Sequence, residues 1–366
     1  MELVEALKNR NIGLKNKIPK KIRQFIETNV YDESIKRINH IFDTFDTVTV
    51  MFSGGKDSLA TLHLVKEVAN SRGIEKVNVV FRDEELIPNL VIDFVNKYRQ
   101  LEWINMLYFT VPLKSQKHVL GKTENYIQWD AKRKHIRPIP KHGIKSDKIF
   151  QQDTMDSFTA SFYSGKIAFI NGIRAAESIT RYGACMSKVN ENYINNTASN
   201  IHNVRFCKPI FDWQENDVLK YFYDNDIEYC QLYDHQMWNK EQLRVATPLL
   251  SENARRFYKL KTLDPVLYEQ IITMFPEVMM QDRYWNEIDM DKIKTQYGKN
   301  LHTVLEYIKE YITEPKQKNK AIKQFKQAVV MHRNDPVGYP IDHVLTYFRT
   351  GAFKRNLYVK DSWTKK

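Results

Sequence analysis

The chain of 366 residues lacks several features that would place it in a membrane or an oxidising compartment. No apolar run approaches the roughly 20 residues that a spanning helix needs, so we expect no membrane span. The first 21 residues contain lysines but no apolar core of a signal peptide, so we expect no secretion. Cysteines are scarce and far apart, which predicts reduced thiols and a cytoplasmic location. The three cysteines are Cys185, Cys207 and Cys230.

Acidic residues are also fewer than basic ones. The chain has 44 Asp and Glu against 56 Lys and Arg, a formal net charge of +12. Such a surplus favours polyanionic partners, such as nucleotides, nucleic acid or an anionic membrane surface. A basic, well-solvated surface without a particular partner explains the same numbers. Hydrophobic residues make up 42% of the chain, which predicts a globular protein with a substantial core.

Short apolar runs alternate with helical patterns through much of the chain. Candidate strands lie at residues 48–52, 77–81, 106–111 and 167–170, and helical spacing separates them, as at 91–98. This alternation is typical of a parallel sheet flanked by helices. The sequence therefore predicts an α/β fold with a mostly parallel sheet.

Three regions follow from the same patterns. Residues 1–31 form a basic helical segment, 32–235 the α/β domain, and 236–366 a mainly helical C-terminal region. Asp32 is interpreted as the N-cap of the first helix of the α/β domain. That domain contains a basic insertion at 112–164, which is rich in Lys, His, Pro and Trp.

A glycine-rich loop lies between the first candidate strand and the following helix. Its glycines allow a tight turn and a close approach to a ligand, and a helix N-terminus favours an anion. The serines add hydroxyl donors and Lys56 adds a positive charge. Asp57 is a candidate helix cap or a ligand that helps to hold Mg²⁺ near phosphate. The predicted phosphate-binding residues are Ser53, Gly54, Gly55, Lys56, Asp57 and Ser58.

This loop is not a Walker A motif, which needs a glycine, four residues and then Gly-Lys-Ser/Thr. The Gly-Lys-Thr at residues 121–123 has Gln116 where the first glycine should be, which disfavours a P-loop NTPase. A glycine-rich turn without a ligand is the remaining alternative for the loop.

Four blocks in order carry a resemblance to a known family. The first is Ser53-Gly-Gly-Lys-Asp-Ser58, and the second holds Asp83, Glu84 and Pro88. The third is Gly172-Ile-Arg-Ala-Ala-Glu-Ser-Ile-Thr-Arg181, and the fourth is Lys208-Pro-Ile-Phe-Asp-Trp213, followed by Asp217 and Val218. On these blocks the sequence resembles the PP-loop (N-type) ATP pyrophosphatase superfamily, in its phosphoadenosine phosphosulfate (PAPS) reductase-like branch. The resemblance covers roughly residues 48–222. In the fourth block, Pro209 and Trp213 are expected to pack in the core. Asp212 and Asp217 are expected to cap the following helix.

The resemblance implies a nucleotide site and a reaction. ATP, or a sulfonucleotide such as PAPS or APS, binds on the loop, with Mg²⁺ as a cofactor. ATP is cleaved between its α- and β-phosphates, and AMP passes to a substrate while pyrophosphate leaves. The implied acceptor is a nucleic-acid group, sulfate with a partner protein, or a small metabolite.

The resemblance also assigns roles to residues outside the loop. Asp83 is expected on the adenosine side, and Gly172 beside the nucleotide. Arg174 and Arg181 can grip phosphate or sulfate through bidentate hydrogen bonds, while Glu177 orients an arginine or binds Mg²⁺. A surface loop whose Arg and Glu pair with each other is the alternative. The predicted catalytic residues are Lys56, Asp57, Arg174, Glu177 and Arg181.

The chain departs from sulfonucleotide reductases in its cysteines. Those enzymes attack with a thiolate in a C-terminal Glu-Cys-Gly-Leu-His-like segment, whereas this chain has no cysteine after Cys230. Its cysteine spacing also lacks the CxxC signature that is usual for zinc or iron–sulfur sites, so dispersed buried thiols are expected. A reductase or sulfotransferase with an unusual thiol stays open, as does a non-catalytic nucleotide-binding regulator that acts with a partner.

Basic segments with aromatic residues lie at 129–145 and 347–355, and lysines recur at 316–326. Such segments suit neutralisation of a nucleic-acid backbone with base stacking, so nucleic acid is a candidate partner. Two alternatives are a solvated helix face at 316–326 and a lid over the phosphates formed by Arg133 and Arg137. A homodimer is expected only by analogy with relatives.

Overall fold

A computed structural model describes residues 27–119, 122–185, 191–197, 200–239, 244–250, 257–284 and 290–360. The described residues belong to two compact units. The α/β unit comprises those within 26–118 and 123–282, and the helical unit comprises those within 283–366 together with residues 119 and 122. Most of the predicted segment 1–31 lies outside the described residues. The predicted boundary at residue 235 stays a prediction, while the α/β unit continues to residue 282.

The sheet of the α/β unit is mostly parallel. Its strands are β1 (Thr47–Met51), β2 (Val77–Arg82), β3 (Ile104–Phe109), β6 (Ile167–Asn171), β7 (Ile194–Asn196) and β8 (Val204–Cys207). Their order is β3-β2-β1-β6-β8-β7, and β7 alone among these six runs antiparallel to its neighbour. Helices follow most of the strands, which confirms the predicted α/β class.

The helices of the α/β unit bury apolar side chains against this sheet. Leu59, Leu62 and Val65 of one helix have no exposed surface and belong to the same core as Val50 of β1. The helices are Val30–Thr44, Lys56–Ser71, Asn89–Arg99, Gln152–Ala160, Ile179–Cys185, Glu215–Asp224, Leu232–Trp238, Leu260–Leu263, Pro265–Met274 and Glu277–Tyr284.

The first of these helices begins earlier than predicted. Its N-cap is Asn29, whose side chain accepts a hydrogen bond from the backbone N–H of Asp32. The prediction of Asp32 as the cap is therefore wrong, because Asp32 already lies in the first helical turn. An asparagine three residues earlier satisfies the free N–H instead.

The strand order places a binding crevice at the centre of the sheet. From β1 the chain continues to β2 and β3 on one side, and it later returns to β6 on the other side. Ligands of open α/β sheets bind at such a switch point, beyond the carboxyl ends of the strands. Met51 is opposite Asn171 in the register, so the loops that follow β1 and β6 begin side by side.

The predicted insertion contains a hairpin that sequence analysis missed. Strands β4 (Leu113–Val119) and β5 (Lys122–Gln128) form a separate two-stranded sheet. Their polar residues gave no clear alternating pattern. The hairpin lies between β3 and the helix Gln152–Ala160, inside the predicted limits 112–164.

The helical unit confirms the prediction of a mainly helical C-terminal region. Its helices are Met290–Tyr297, Leu301–Tyr311, Pro315–Asn334 and Ile341–Arg349, followed by a short 3₁₀ turn at Ala352–Lys354. Val304, Ile308, Ala321, Val344 and Phe348 lie in its buried core. Across the described parts of both units, we find no helix that is long and apolar enough to cross a membrane.

Candidate functional site

The glycine-rich loop has a backbone that only glycine fits at two positions. Gly54 has a φ of +75°, and a Cβ there would lie 2.9 Å from Cγ1 of Val91. A Cβ at Gly55 would lie 2.8 Å from Cγ2 of Val245. Side chains from distant parts of the chain therefore pack directly against the loop, as predicted for a turn that needs glycine.

The two serines of the loop bond to each other and to its backbone. The Ser53 N–H donates to Oγ of Ser58 at 3.2 Å, and the two hydroxyl oxygens are 3.0 Å apart. The Gly55 N–H donates to Oγ of Ser53 at 3.3 Å, and Ser58 donates to the Gly55 carbonyl at 2.9 Å. These bonds hold the turn closed at the start of the helix Lys56–Ser71.

Lys56 is almost fully buried, with 4% of its surface exposed. Its Nζ lies 3.1 Å from Oδ2 of Asp57 and 3.2 Å from Oε1 of Glu215. The backbone N–H of Lys56 donates to the hydroxyl of Tyr233 at 2.7 Å. Sequence reasoning missed Glu215 and Tyr233, because each is more than 150 residues away along the chain and belongs to no motif.

Tyr233 lies at the helix terminus where an anion would bind. Burial raises the pKa of Tyr233, so the hydroxyl stays protonated at neutral pH. It accepts one hydrogen bond from Lys56 and keeps a proton to donate. A phosphate oxygen at this terminus would therefore meet a phenol donor whose position is fixed by the helix backbone.

Arg174 connects the loop after β1 with the loop after β6. It is 4% exposed, and its Nε donates to Oδ1 of Asp57 at 2.6 Å. Its Nη2 is 3.9 Å from Oε1 of Glu177, which also pairs with Arg181. The side chain of Arg181 is 45% exposed, unlike that of Arg174. The structure thus brings the five predicted catalytic residues into one connected chain of charges.

Gly172 allows the two loops to touch. A Cβ at this position would lie 2.5 Å from the backbone carbon and oxygen of Asp57 and 2.6 Å from the Ser58 nitrogen. Any larger residue would push the β6 loop away from the helix terminus. The predicted contact of Gly172 with the nucleotide stays a prediction.

Asp83 lies directly after β2 and accepts hydrogen bonds from several neighbouring groups. Its carboxylate accepts from the Tyr108 hydroxyl at 2.8 Å and from the Glu85 N–H at 2.9 Å, and it pairs with Arg137. Trp129 donates from Nε1 to the Asp83 carbonyl at 2.8 Å. Asp83 therefore anchors the insertion, and its role on the adenosine side stays a prediction.

Glu85 anchors the insertion in a similar way. It has no exposed surface and receives two bonds from Arg133, at 2.7 and 2.5 Å. The Trp129 N–H donates to the same carboxylate at 2.6 Å. Arg133 and Arg137, which could have formed a lid, are thus both paired with buried carboxylates.

Glu84 lies between Asp83 and Glu85 in the sequence. Burial and the nearby charge of Asp83 raise the pKa of Glu84 to about 7.

The Lys208-to-Trp213 block serves packing. Trp213 is 1% exposed and donates from Nε1 to Oγ of Ser34 at 2.8 Å, which confirms its predicted packing role. Asp212 forms two 2.8 Å bonds with Arg37, so its predicted role as a helix cap is wrong. The helix Glu215–Asp224 instead has Gln214 as its N-cap, with Asp217 accepting the Gln214 N–H at 2.6 Å.

The three cysteines are free and buried, as expected. Burial raises the pKa of Cys185, of Cys207 and of Cys230, so each is a protonated thiol at neutral pH. Within the described ranges, no group of three or more His, Cys, Asp or Glu residues could hold a metal ion.

The predicted magnesium ligand Asp57 does not fit a protein-held ion in this arrangement. One of its carboxylate oxygens accepts from Arg174 and the other from Lys56, so both face cations. A divalent ion at this carboxylate would compete with two buried positive charges. The magnesium role of Asp57 therefore stays a prediction without support from the geometry.

Comparisons with known proteins identify a family for this chain. A family model described as the phosphoadenosine phosphosulfate reductase domain matches residues 47–271, more than half of the chain. The uncharacterized protein YbdN of Escherichia coli is 26% identical over 65% of this chain and 63% of its own length. The chain therefore matches less than two thirds of that relative.

Two more similarities are shorter or weaker. Adenosine 5'-phosphosulfate reductase of Staphylococcus epidermidis is 29% identical over 25% of this chain and 35% of its own length. The structure of Candida glabrata FMN adenylyltransferase with FMN and the ATP analogue AMPCPP covers 58% of this chain and 64% of that chain. Its identity is 14% and its TM-score 0.40. On the match to residues 47–271, which include the loop between β1 and its helix, this chain belongs to the phosphoadenosine phosphosulfate reductase domain family.

Proposed function

We propose that this protein binds ATP on the loop at residues 53–58 and transfers AMP to an acceptor, with release of pyrophosphate. One observation carries the proposal. Two buried cations, Lys56 and Arg174, lie with a helix N-terminus at the switch point of the sheet. Helix termini and buried cations in such a crevice are suited to a polyphosphate.

The carboxylates around these cations have a positioning role. Asp57 contacts both Lys56 and Arg174, and Glu215 contacts Lys56 from a third element. The two cations are thereby held beside the helix terminus before a ligand arrives. Preorganised charge of this kind stabilises a transition state without rearrangement during the reaction.

The proposed reaction is a displacement at the α-phosphorus. A nucleophilic atom of the acceptor forms a bond to phosphorus, and the bond to the bridging oxygen of the β-phosphate breaks. Pyrophosphate leaves with that electron pair, and the acceptor proton passes to water. Because phosphoryl chemistry depends mainly on positioning and charge neutralisation, Lys56 and Arg174 suffice for this role without a covalent nucleophile.

Arg181 extends the site toward solvent. Its side chain is half-exposed and pairs with Glu177. Glu177 follows Arg174 in the loop after β6. An exposed arginine can hold the leaving pyrophosphate or an acidic acceptor through bidentate bonds. We assign Arg181 to that outer position and Arg174 to the inner one.

The buried cysteines disfavour a sulfonucleotide reductase that uses them. That chemistry needs a thiolate that reaches the nucleotide. In this chain each thiol is at most 1% exposed, and burial raises the pKa of each one. Adenylyl transfer needs none of them.

The test is turnover of ATP labelled at the α-phosphate by the full chain, with magnesium salt present. DNA, RNA, sulfate and no acceptor form separate arms, and products are separated as AMP or ADP. Lys56→Ala is compared with Lys66→Ala, a matched change on the same helix, where Lys66 lies 4.5 Å over the Trp103 ring. We expect AMP and pyrophosphate at a rate about 100-fold lower in Lys56→Ala and unchanged in Lys66→Ala.

Other outcomes would point elsewhere. ADP with phosphate as products would exclude α–β cleavage. Tight ATP binding without turnover in any arm would favour the non-catalytic regulator. Release of sulfite from PAPS or APS, lost on replacement of the cysteines by serine, would favour the reductase.

A further inference from the structure

The charge surplus of the chain lies mostly in the helical unit. Residues 290–360 contain 14 Lys and Arg against six Asp and Glu, a net charge of +8. Residues 27–282 contain 32 Lys and Arg against 33 Asp and Glu, a net charge of −1. If the positive charge were spread evenly over a well-solvated surface, these two regions would not differ so strongly in net charge.

One helix carries much of this charge. Pro315–Asn334 contains five lysines, an arginine and a histidine, and no acidic residue. Lys316, Lys320 and Lys323 are exposed and follow the i, i+4, i+7 spacing of one helix face. The buried residues Ala321, Phe325 and Ala328 occupy the opposite face. The helix therefore presents a lysine face away from the core of its own unit.

A 3₁₀ turn lies beside this helix. Ala352–Lys354 packs against the helix Pro315–Asn334. Burial and the nearby charge of Lys320 lower the pKa of Lys354, while Glu314 partly offsets this effect. We define the lysine face as Lys316, Lys320 and Lys323.

The acidic side chains that the structure describes in the helical unit already have other partners. Glu314 accepts two backbone N–H groups at the helix start, and Asp335 accepts the Gly338 N–H. Asp342 pairs with Lys360, Glu310 accepts from Tyr297, and Glu306 lies near His302. Neutralisation of the lysine face is therefore left largely to water and ions, or to a partner.

We propose that the lysine face binds the phosphodiester backbone of a nucleic-acid duplex. Like charges at i, i+4 spacing on a helix repel each other, and a bound polyanion relieves this repulsion. From Lys316 to Lys323 the helix advances about 10 Å, at about 1.5 Å a residue. Phosphates succeed each other at about 3.4 Å along each strand of a duplex, so several lie within reach of this face.

The aromatic residues of this unit favour backbone contact over base stacking. Tyr347, Phe348 and Phe353, which the sequence interleaves with basic residues, are all at most 5% exposed. They belong to the core and cannot stack on bases. The binding we propose is therefore independent of base sequence and does not depend on the proposed adenylyl transfer.

The test compares two triple variants of the full chain with equal change in net charge. Lys316→Gln/Lys320→Gln/Lys323→Gln removes three charges from the lysine face. Lys36→Gln/Lys97→Gln/Lys220→Gln removes three exposed lysines of the α/β unit, each paired with an acidic neighbour. Binding of a labelled 20-base-pair DNA duplex and an RNA duplex is titrated by anisotropy between 50 and 200 mM salt.

For the unmodified chain, log Kobs should fall linearly with log salt. The lysine-face variant should bind about tenfold or more weakly, with a slope smaller by about two to three, since each duplex phosphate contact contributes about 0.9. The control variant should keep the parent slope. Circular dichroism melting and basal ATP turnover should be unchanged in both, which separates this result from failure of the proposed enzyme activity.

The DNA and RNA arms decide which duplex is preferred. Equal losses in both triple variants would attribute binding to net charge and overturn the proposal. Absence of duplex binding by the unmodified chain at 50 mM salt would also overturn the proposal. Binding of the unmodified chain to vesicles of anionic phospholipid, with no binding to either duplex, would assign the face to a membrane surface instead.

Discussion

The two units of this protein place their charged residues in opposite ways. The α/β unit buries them, since Lys56, Asp83, Glu85 and Arg174 are each at most 4% exposed. The helical unit leaves its lysines exposed on one helix and has a core of aliphatic and aromatic side chains. Buried charges need fixed partners, whereas exposed ones are solvated and available to a mobile polyanion.

This difference indicates what each kind of charge is suited for. In the α/β unit, two buried cations of the site are each held by a carboxylate from another element, Arg174 by Asp57 and Lys56 by Glu215. Such geometry suits a small anion that must be positioned for chemistry. In the helical unit the exposed lysines of the helix Pro315–Asn334 present a dense positive charge, and an interaction there depends on charge density. Substitutions should therefore have large effects in the first unit and small effects in the second.

The largest effect is expected at Glu85, where a buried carboxylate holds Arg133. Glu85→Gln keeps the shape but leaves Arg133 without its charge partner, which should lower the free energy of unfolding by about 2–4 kcal/mol. The measurement is urea unfolding followed by tryptophan fluorescence, since Trp129 donates to the same carboxylate. A control is Glu228→Gln, whose exposed pair with Lys97 at 2.5 Å should contribute less than about 1 kcal/mol.

Equal losses in the two variants would contradict this assignment. The double variant Glu85→Gln/Arg133→Gln should recover part of the loss, because it leaves no unpaired buried charge. If the double variant recovers none of the unfolding free energy, the loss in Glu85→Gln arises from altered packing and not from the unpaired charge of Arg133.

An intermediate effect is expected at Glu84, and it should depend on pH. The pKa of Glu84 is raised from 4.5 to about 7 in the folded protein, by burial and by Asp83, against the opposing charge of Arg82. A raised folded pKa stabilises the protein at low pH, and this contribution is lost as pH rises through about 7. The unmodified protein should therefore lose about 1–3 kcal/mol between pH 4.5 and 8 through this group, after allowance for its partial exposure.

Glu84→Gln should abolish that share of the pH dependence. Its unfolding free energy should exceed that of the unmodified protein at pH 8 and approach it at pH 4.5. The same substitution at exposed Glu228 should leave the pH profile unchanged. Parallel profiles for the unmodified protein and Glu84→Gln would show that Glu84 is ionised and well solvated in the folded state.

The sequence predicted those parts of the molecule that depend on local signals. The β-branched run before Ser53 and the glycines after it indicated both a strand and a turn, and the structure has β1 and the loop there. Helical spacing indicated the lysine-bearing helix Pro315–Asn334 as well. In each case the pattern lies within a few residues, where spacing determines which side chains share a face.

The parts of the site that the sequence did not predict depend on contacts between residues that are far apart along the chain. Tyr233 meets Lys56 across 177 positions, and Glu215 reaches Lys56 from a separate helix. No local pattern distinguishes these two residues from ordinary surface or core side chains. Asp212 was misinterpreted for the same reason, because its partner Arg37 lies 175 positions away. The resemblance thus predicted the loop and the charged residues around Arg174, whereas Glu215 and Tyr233 join the site only through the fold.

The smallest effect is expected at Lys318, which belongs to the lysine-rich helix but not to its lysine face. Its Nζ donates to the Lys309 carbonyl at 2.6 Å, near the end of the preceding helix. Lys318→Gln should lower the unfolding free energy by only about 0.5 kcal/mol, since the bond is near the surface. Its salt slope for duplex binding should stay within experimental error of the parent, whereas Lys320→Gln alone should lower that slope by about one. Two lysines two positions apart on one helix would then differ in function because they face different surroundings. A change in slope at Lys318 equal to that at Lys320 would instead mean that any lysine of this helix serves, and that the spacing of the face is irrelevant.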